Sequence, residues 1–97
     1  MSLEYVKELK EKSGGHPVLE KAFNELVMEA LRTRKEIASF LKKEANQSPH
    51  QKQGEVTLLE ARFDGNAKIH FCNLCRANGF EIQFGAFSFD DLCNSAI

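Results

Sequence analysis

The sequence predicts an α+β protein in which an N-terminal helical hairpin with one long helix is followed by a three-stranded antiparallel meander and a short C-terminal helix. Residues 18–46 contain neither glycine nor proline and repeat apolar side chains at helical spacing, which is typical of a long amphipathic helix. Residues 55–84 instead alternate apolar and polar side chains around two turn signals, which indicates strands. The change of period therefore separates a helical half from a β-rich half.

A polar stretch between the two halves predicts a linker at residues 47–54, where Pro49 and Gly54 occur and no periodicity is found. A chain of 97 residues can bury one hydrophobic core but not two. We therefore predict that the whole chain is a single domain, with a helical part at residues 1–46 and a β-rich part at residues 55–97.

The first predicted helix begins at Ser2, whose hydroxyl suits the N-cap position. Leu3, Val6 and Leu9 then recur at helical spacing. The run Ser13-Gly14-Gly15 ends the helix, because glycine readily adopts the left-handed conformation that often follows a last helical turn.

The second predicted helix has Pro17 in its first turn and reaches residue 46. At a rise of 1.5 Å per residue such a helix spans roughly 43 Å, whereas a globule of this size measures roughly 26 Å across. Part of the helix must overhang the globule or pack against a second copy, and we predict self-association through it. Its apolar stripe consists of Leu19, Phe23, Leu26, Ala30, Ile37, Phe40 and Leu41.

Two turn signals define the predicted meander. Asp64-Gly65-Asn66 is a strong hairpin signal, and a second turn signal lies at residues 76–79. Strands are expected at residues 57–63, 67–72 and 80–84, with one face made of Ala, Ile and Phe side chains that the helices would cover.

An all-α fold is the alternative, because residues 66–78 also fit a helix that ends at Gly79. The turn signal and the β-branched and aromatic content favour strands in this stretch. Near the C-terminus, Ser88 followed by Asp90 and Asp91 indicates an N-cap with acidic residues in the first turn, so a short helix is expected to close the chain.

Three cysteines and one histidine form the candidate metal ligands. Cys72 and Cys75 are spaced as a C-x₂-C pair, His70 precedes them, and Cys93 follows in the C-terminal region. Zinc takes four nitrogen or sulfur ligands in a tetrahedron, and a C-x₂-C turn brings two thiolates to one ion. The competing interpretation is that the cysteines are small buried hydrophobic residues. A companion C-x₂-C or H-x₃-H pair is missing from the sequence, so we predict no cofactor, with zinc as the alternative.

Charge is unevenly distributed, although the formal net charge is −1. Residues 30–53 carry six basic and two acidic residues, whereas both flanking segments are acidic. The basic segment 32–43 could attract nucleic acid, but the pI of 6.3 is far below that of typical nucleic-acid-binding domains. The alternative function is therefore a zinc-stabilised nucleic-acid-binding module that uses Cys72, Cys75 and Cys93 together with this segment.

The sequence disfavours several function classes. It contains no phosphate-binding loop, dinucleotide fingerprint, nucleophile elbow or zinc-protease motif, so we predict no catalytic residues and do not expect an enzyme. It also lacks an apolar run long enough to span a membrane, and its charged N-terminus lacks the apolar segment of a secretory signal. We therefore expect a cytoplasmic protein that does not contact membranes.

The function predicted from these observations is that of a small non-enzymatic adaptor or regulatory module, which binds a protein partner and self-associates through the long helix. Its basis is the apolar stripe on a helix too long for the globule, together with the lack of a catalytic motif. The residues expected to form the interaction surface are Leu26, Ile37, Phe40, Arg34, Lys35, Lys42 and Lys43.

Overall fold

The computed structural model describes residues 2–43 and 49–95, and within these ranges the protein consists of helices joined by turns and loops, without a β-strand. A π-helical segment, Phe63–Lys68, connects two of the α-helices directly, so that one continuous helical rod runs from residue 49 to residue 77. The α-helices are α1 (Ser2–Ser13), α2 (Pro17–Lys43), α3 (Pro49–Arg62), α4 (Ile69–Ala77) and α5 (Phe89–Ser95).

Helices α1 and α2 form the predicted N-terminal hairpin. α1 buries Val6 and Leu9, and it ends where the amide of Gly14 donates to the carbonyl oxygen of Lys10 at 3.1 Å. The hydroxyl of Ser13 donates to the same carbonyl at 3.0 Å and so completes the last turn. The prediction of two N-terminal helices is thus confirmed.

The core lies along α2 from its start to Thr33. α4 and the π segment pack against α2, and α5 packs on both α1 and α2. The buried side chains of α2 recur every three or four residues, as expected for a helix with one face in the core. They are Leu19, Ala22, Phe23, Leu26, Val27, Ala30 and Thr33. The other core side chains are Val6, Leu9, Phe63, Phe71, Cys72, Cys75, Ile82, Phe87, Leu92 and Cys93.

The rod ends at a cap that depends on Gly79, whose φ is +86°. The amide of Gly79 donates to the carbonyl of Arg76 at 3.1 Å, and the amide of Phe80 donates to the carbonyl of Cys75 at 2.8 Å. This pair of hydrogen bonds is a Schellman motif, which needs a left-handed residue and is therefore usually completed by glycine. Phe80 packs against the core and leads the chain into the following loop.

Helix α5 begins at a reciprocal cap. The hydroxyl of Ser88 accepts a hydrogen bond from the amide of Asp91 at 3.3 Å, while the carboxylate of Asp91 accepts one from the amide of Ser88 at 3.0 Å. Such a capping box satisfies amides that otherwise lack partners at the start of a helix. The prediction of a C-terminal helix is confirmed, and α5 brings Leu92 and Cys93 into the core.

The predicted α+β fold is wrong, and the all-α alternative describes the protein. The three stretches expected to be strands lie in the rod or in the loop before α5. Phe63, Phe71 and Cys75 are buried at spacings of eight and four residues, which places them on one face of a helix. In a strand, Ile69 would point to the same side as Phe71, yet Ile69 is 44% exposed.

One predicted turn and the described part of the predicted linker lie inside the rod. Asp64-Gly65-Asn66 forms the middle of the π segment instead of a hairpin. The predicted linker is helical from Pro49 through Gly54, while residues 47–48 lie outside the described ranges. Packing overrides these local preferences, because a glycine in a helix costs about 1 kcal/mol, whereas burying one large apolar side chain contributes about 1.5–3 kcal/mol.

Candidate interaction surface

One end of the molecule projects beyond the core as a pair of helices. We call this region the arm and define it as residues 34–43 of α2 together with residues 49–62 of α3. The core stops where the arm begins, at Thr33 on one helix and Phe63 on the other, which are 0% and 1% exposed. α2 and α3 pack against each other.

The arm makes the molecule elongated. The molecule measures 48 × 24 × 22 Å, and its radius of gyration is 14.6 Å. A compact domain of this length has a radius of gyration of about 12.5 Å. The long dimension exceeds the length of α2, which is about 40 Å for 27 residues.

The apolar side chains of the arm are only partly covered. Leu41 of α2 is 48% exposed and Leu58 of α3 is 66% exposed. In the described part of the arm no apolar side chain is fully buried, in contrast to the face of α2 that precedes it. The half-buried ones are Ile37, Phe40, Val56 and Leu59. Two helices cannot enclose such a stripe, so the arm carries an apolar surface of the kind that binds other helices.

Two lysines form a separate basic face on the arm. Lys35 and Lys42 are exposed, lie seven residues apart on one side of α2, and make no ion pair with any described residue. At 100° per residue, Lys35 is rotated by about 160° from Ile37. A partner that covers the apolar face would therefore leave these lysines in water.

Two arginines of the arm form exposed ion pairs with carboxylates. The guanidinium of Arg62 on α3 lies 2.5 Å from the carboxylate of Glu36 on α2, and the guanidinium of Arg34 lies 3.5 Å from the carboxylate of Asp90 on α5. The four side chains are between 39% and 60% exposed. Ion pairs this exposed contribute at most about 1 kcal/mol each, so they orient the helices more than they stabilise them.

The residues predicted to form the interaction surface lie in two environments. Leu26 lies in the core at 3% exposure. Lys43 is the last residue of α2, and its side chain lies outside the described residues. The others lie on the arm but on different faces of α2, since Ile37 and Phe40 are half-buried whereas Arg34, Lys35 and Lys42 are exposed. Leu58 also lies on the arm, where it is 66% exposed, but the strand interpretation of its segment gives no reason to expect it there.

The three cysteines are free and buried. Cys72 and Cys75 lie one turn apart in α4, Cys93 lies in α5, and His70 is exposed. The turn that a C-x₂-C zinc site uses is replaced here by a helix. Within the described ranges, no group of three or more His, Cys, Asp or Glu side chains could hold a metal ion.

Burial also opposes the thiolate form that zinc binds. Desolvation, with a smaller effect of Cys72, raises the pKa of Cys75 to about 11. Desolvation likewise raises the pKa of Cys72, against the smaller opposing effects of Arg76 and Lys68. A zinc site that uses these cysteines, and the nucleic-acid-binding role linked to it, remain predictions without an observed ligand cluster among the described residues.

A buried lysine lies beside the π segment. Lys68 is 4% exposed, and its ammonium lies 2.9 Å from the carboxylate of Asp64. The ammonium also lies 5.0 Å from the ring centre of Phe87 and 5.7 Å from that of Phe63, which are cation–π distances. Lys68 thus joins the loop before α5 to the rod. Asp64 and Lys68 are four residues apart, a spacing at which oppositely charged side chains meet on a helix. In the predicted hairpin this spacing has no such meaning.

Comparisons with protein-family models, with curated proteins and with solved structures find no match for this chain. None of the described helices combines the length and the apolar character needed to cross a membrane. The case for a function therefore rests on the surfaces of the molecule, and the arm carries exposed apolar side chains on both of its helices.

Proposed function

We propose that the protein is a small non-enzymatic protein-binding module that acts as a homodimer, with the arms of two copies packed together. The observation that supports this proposal is that both helices of the arm carry apolar side chains that are only partly covered, of which Leu41 and Leu58 are the most exposed large ones. Large apolar patches that run along a helix pair are characteristic of interaction sites.

A second copy suits this surface for a geometrical reason. Two identical helical hairpins can bury their apolar faces by forming a four-helix bundle, and a two-fold axis makes the contact self-complementary. Lys35 and Lys42 lie on the opposite side of α2 from Ile37, so the positive charges of the two copies need not meet in the interface.

Dimerisation through the arms also supports an adaptor role. Each copy keeps the rest of its surface outside the contact, so the dimer presents every other surface twice. A bivalent molecule binds a partner that carries two sites more tightly than either copy alone does, without any new contact. The partner itself is a protein in this proposal.

Sedimentation equilibrium tests the dimer. The wild-type protein is expected to approach twice its chain mass of 11.0 kDa as its concentration rises through the micromolar range. Leu58→Lys should weaken the dimer by about tenfold or more, because it removes apolar contacts from both copies and adds a charge to an already basic arm.

Met28→Lys is the matched control, since Met28 lies on α2 outside the arm and is 60% exposed, close to the 66% of Leu58. It should leave the dimer intact, and circular dichroism should show that both variants keep the helical content of the wild type. A wild-type protein that stays monomeric, or equal loss of the dimer in both variants, would refute the proposal.

A further inference from the structure

A groove of about 330 Å³ lies between α2 and the rod, and neither exposed leucine of the arm lines it. This volume falls at the lower end of the range of about 300–1,000 Å³ that small-ligand sites occupy. The residues that line it are Ala22, Glu25, Leu26, Glu29, Arg62, Asn66, Ala67, His70 and Phe71.

The floor of the groove is apolar and firmly held. Leu26 and Phe71 are 3% and 2% exposed and belong to the core. Ala22 and Ala67 contribute only methyl groups, so the two helices leave space above them. A ligand that enters this space therefore meets apolar atoms that do not need to rearrange.

The π segment forms one wall of the groove. Asn66 and Ala67 of this wall belong to the π segment, whereas the next residue, Lys68, directs its ammonium to Asp64 and Phe87. π-helical turns are rare in proteins and are found frequently at functional sites. The wider turn thus coincides with the groove instead of lying elsewhere on the rod.

The charges around the groove leave one carboxylate without a partner. Glu29 pairs with Arg32 at 2.7 Å, and Arg62 pairs with Glu36. Glu25 makes no ion pair with any described residue. The groove therefore carries an uncompensated negative charge next to an apolar floor.

Asn66 and His70 add polar atoms to the wall of the groove opposite α2. Neither side chain makes a hydrogen bond with another described residue. Their amide and imidazole groups are accordingly available to a polar group of a ligand.

We infer that this groove binds a small primary amine with an apolar body. The ammonium of such a ligand pairs with Glu25, its apolar part lies over Leu26 and Phe71, and any further polar group reaches Asn66 or His70. The pairing of a cation with a carboxylate at the rim of an apolar floor is a common arrangement of small-molecule sites.

Titration of the ¹⁵N-labelled protein with phenethylamine tests the inference, with 2-phenylethanol as a neutral probe of similar shape. The amide signals of residues 22–29 and 66–71 are expected to shift with phenethylamine and to shift much less with the alcohol. Glu25→Gln should weaken amine binding by about fivefold, the upper end of what an exposed ion pair contributes. Glu20→Gln, which changes an exposed residue of α2 outside the groove, should leave binding unchanged.

Ala67→Leu provides a second test, because a larger side chain fills the groove and should abolish binding of the amine. Circular dichroism checks that this variant is folded. If Ala67→Leu is unfolded, the result for Glu25→Gln still supports or refutes the inference. Equal affinity for the amine and the alcohol, signals that shift elsewhere in the protein, or unchanged binding by Glu25→Gln would overturn the inference. Binding should persist in Leu58→Lys, since the site does not depend on the dimer.

Discussion

Cys75 lies on the buried face of α4, one turn after Cys72, and its thiol is held in the neutral form. Its pKa is raised to about 11 from an ordinary value of 9.0. A group whose pKa is higher in the folded state stabilises the fold fully below the unfolded value, and this contribution is lost as the pH rises through the folded value. We therefore expect the free energy of unfolding to fall between about pH 9 and pH 11.

The variant Cys75→Ala isolates this effect. Lysine and tyrosine side chains also titrate in this pH range, but they do so in both proteins, so the difference between the two curves reports the thiol. Urea unfolding at a series of pH values is expected to give a shallower decrease for Cys75→Ala than for the wild type. Parallel curves would show that burial of this thiol is not coupled to stability.

At the scale of single elements, the rod from residue 49 to residue 77 is the feature that sets the fold. Gly54 lies inside α3, and a Cβ atom added there would meet no atom within 4 Å. Gly54→Ala should therefore raise the free energy of unfolding by about 0.5–1 kcal/mol, because alanine loses less backbone entropy in a helix.

Gly79→Ala is the matched control for this prediction. The same glycine-to-alanine change at φ +86° forces a side chain into the left-handed region and should destabilise the protein by about 1 kcal/mol. Urea unfolding at one protein concentration measures both variants. A neutral or destabilising Gly54→Ala would speak for the linker that the sequence predicts at residues 47–54.

The elements differ in how far the sequence alone predicts them. Local signals predict α1, α2 and α5. Pro17 and Ser88 mark the starts of α2 and α5, and the glycines after α1 mark its end, each through neighbours only a few residues away. The rod is decided instead by distant contacts, such as the edge-to-face pair of Phe23 and Phe71 at 6.0 Å. Its π segment also adds a residue to one turn, so a search for a period of 3.6 loses the pattern there.

The candidate site follows the same division. Ile37 and Phe40 could be found from the sequence, because they belong to the apolar stripe of α2. Leu58 could not, since its position on the arm depends on α3 packing along α2. The groove beside Glu25 is also hidden from the sequence, because its walls are brought together only by packing of the rod on α2.

At the scale of the whole molecule, α2 serves two functions along its length. Its first part supplies the core, and its last part extends into the arm, which accounts for the 48 Å long dimension. The same kind of substitution should accordingly have different consequences in the two parts. Leu26, which is 3% exposed, lies in the core part of α2, and Ile37, which is half-buried, lies in the arm.

Leu26→Asp is expected to unfold the protein, because an unpaired charge in the core costs several kcal/mol, comparable with a total stability of about 5–15 kcal/mol. Ile37→Asp should keep the helical content and lose the dimer, since its side chain lies outside the core of the single chain. Circular dichroism and sedimentation equilibrium on the two variants separate these outcomes. If Ile37→Asp also unfolded, the arm would have to be part of the cooperative core, and the proposed division of α2 would be wrong. If Ile37→Asp remained dimeric, the contact between copies would lie elsewhere. A charge buried without a partner in an apolar interface costs several kcal/mol of binding free energy, which a dimer formed through Ile37 could not lose unnoticed.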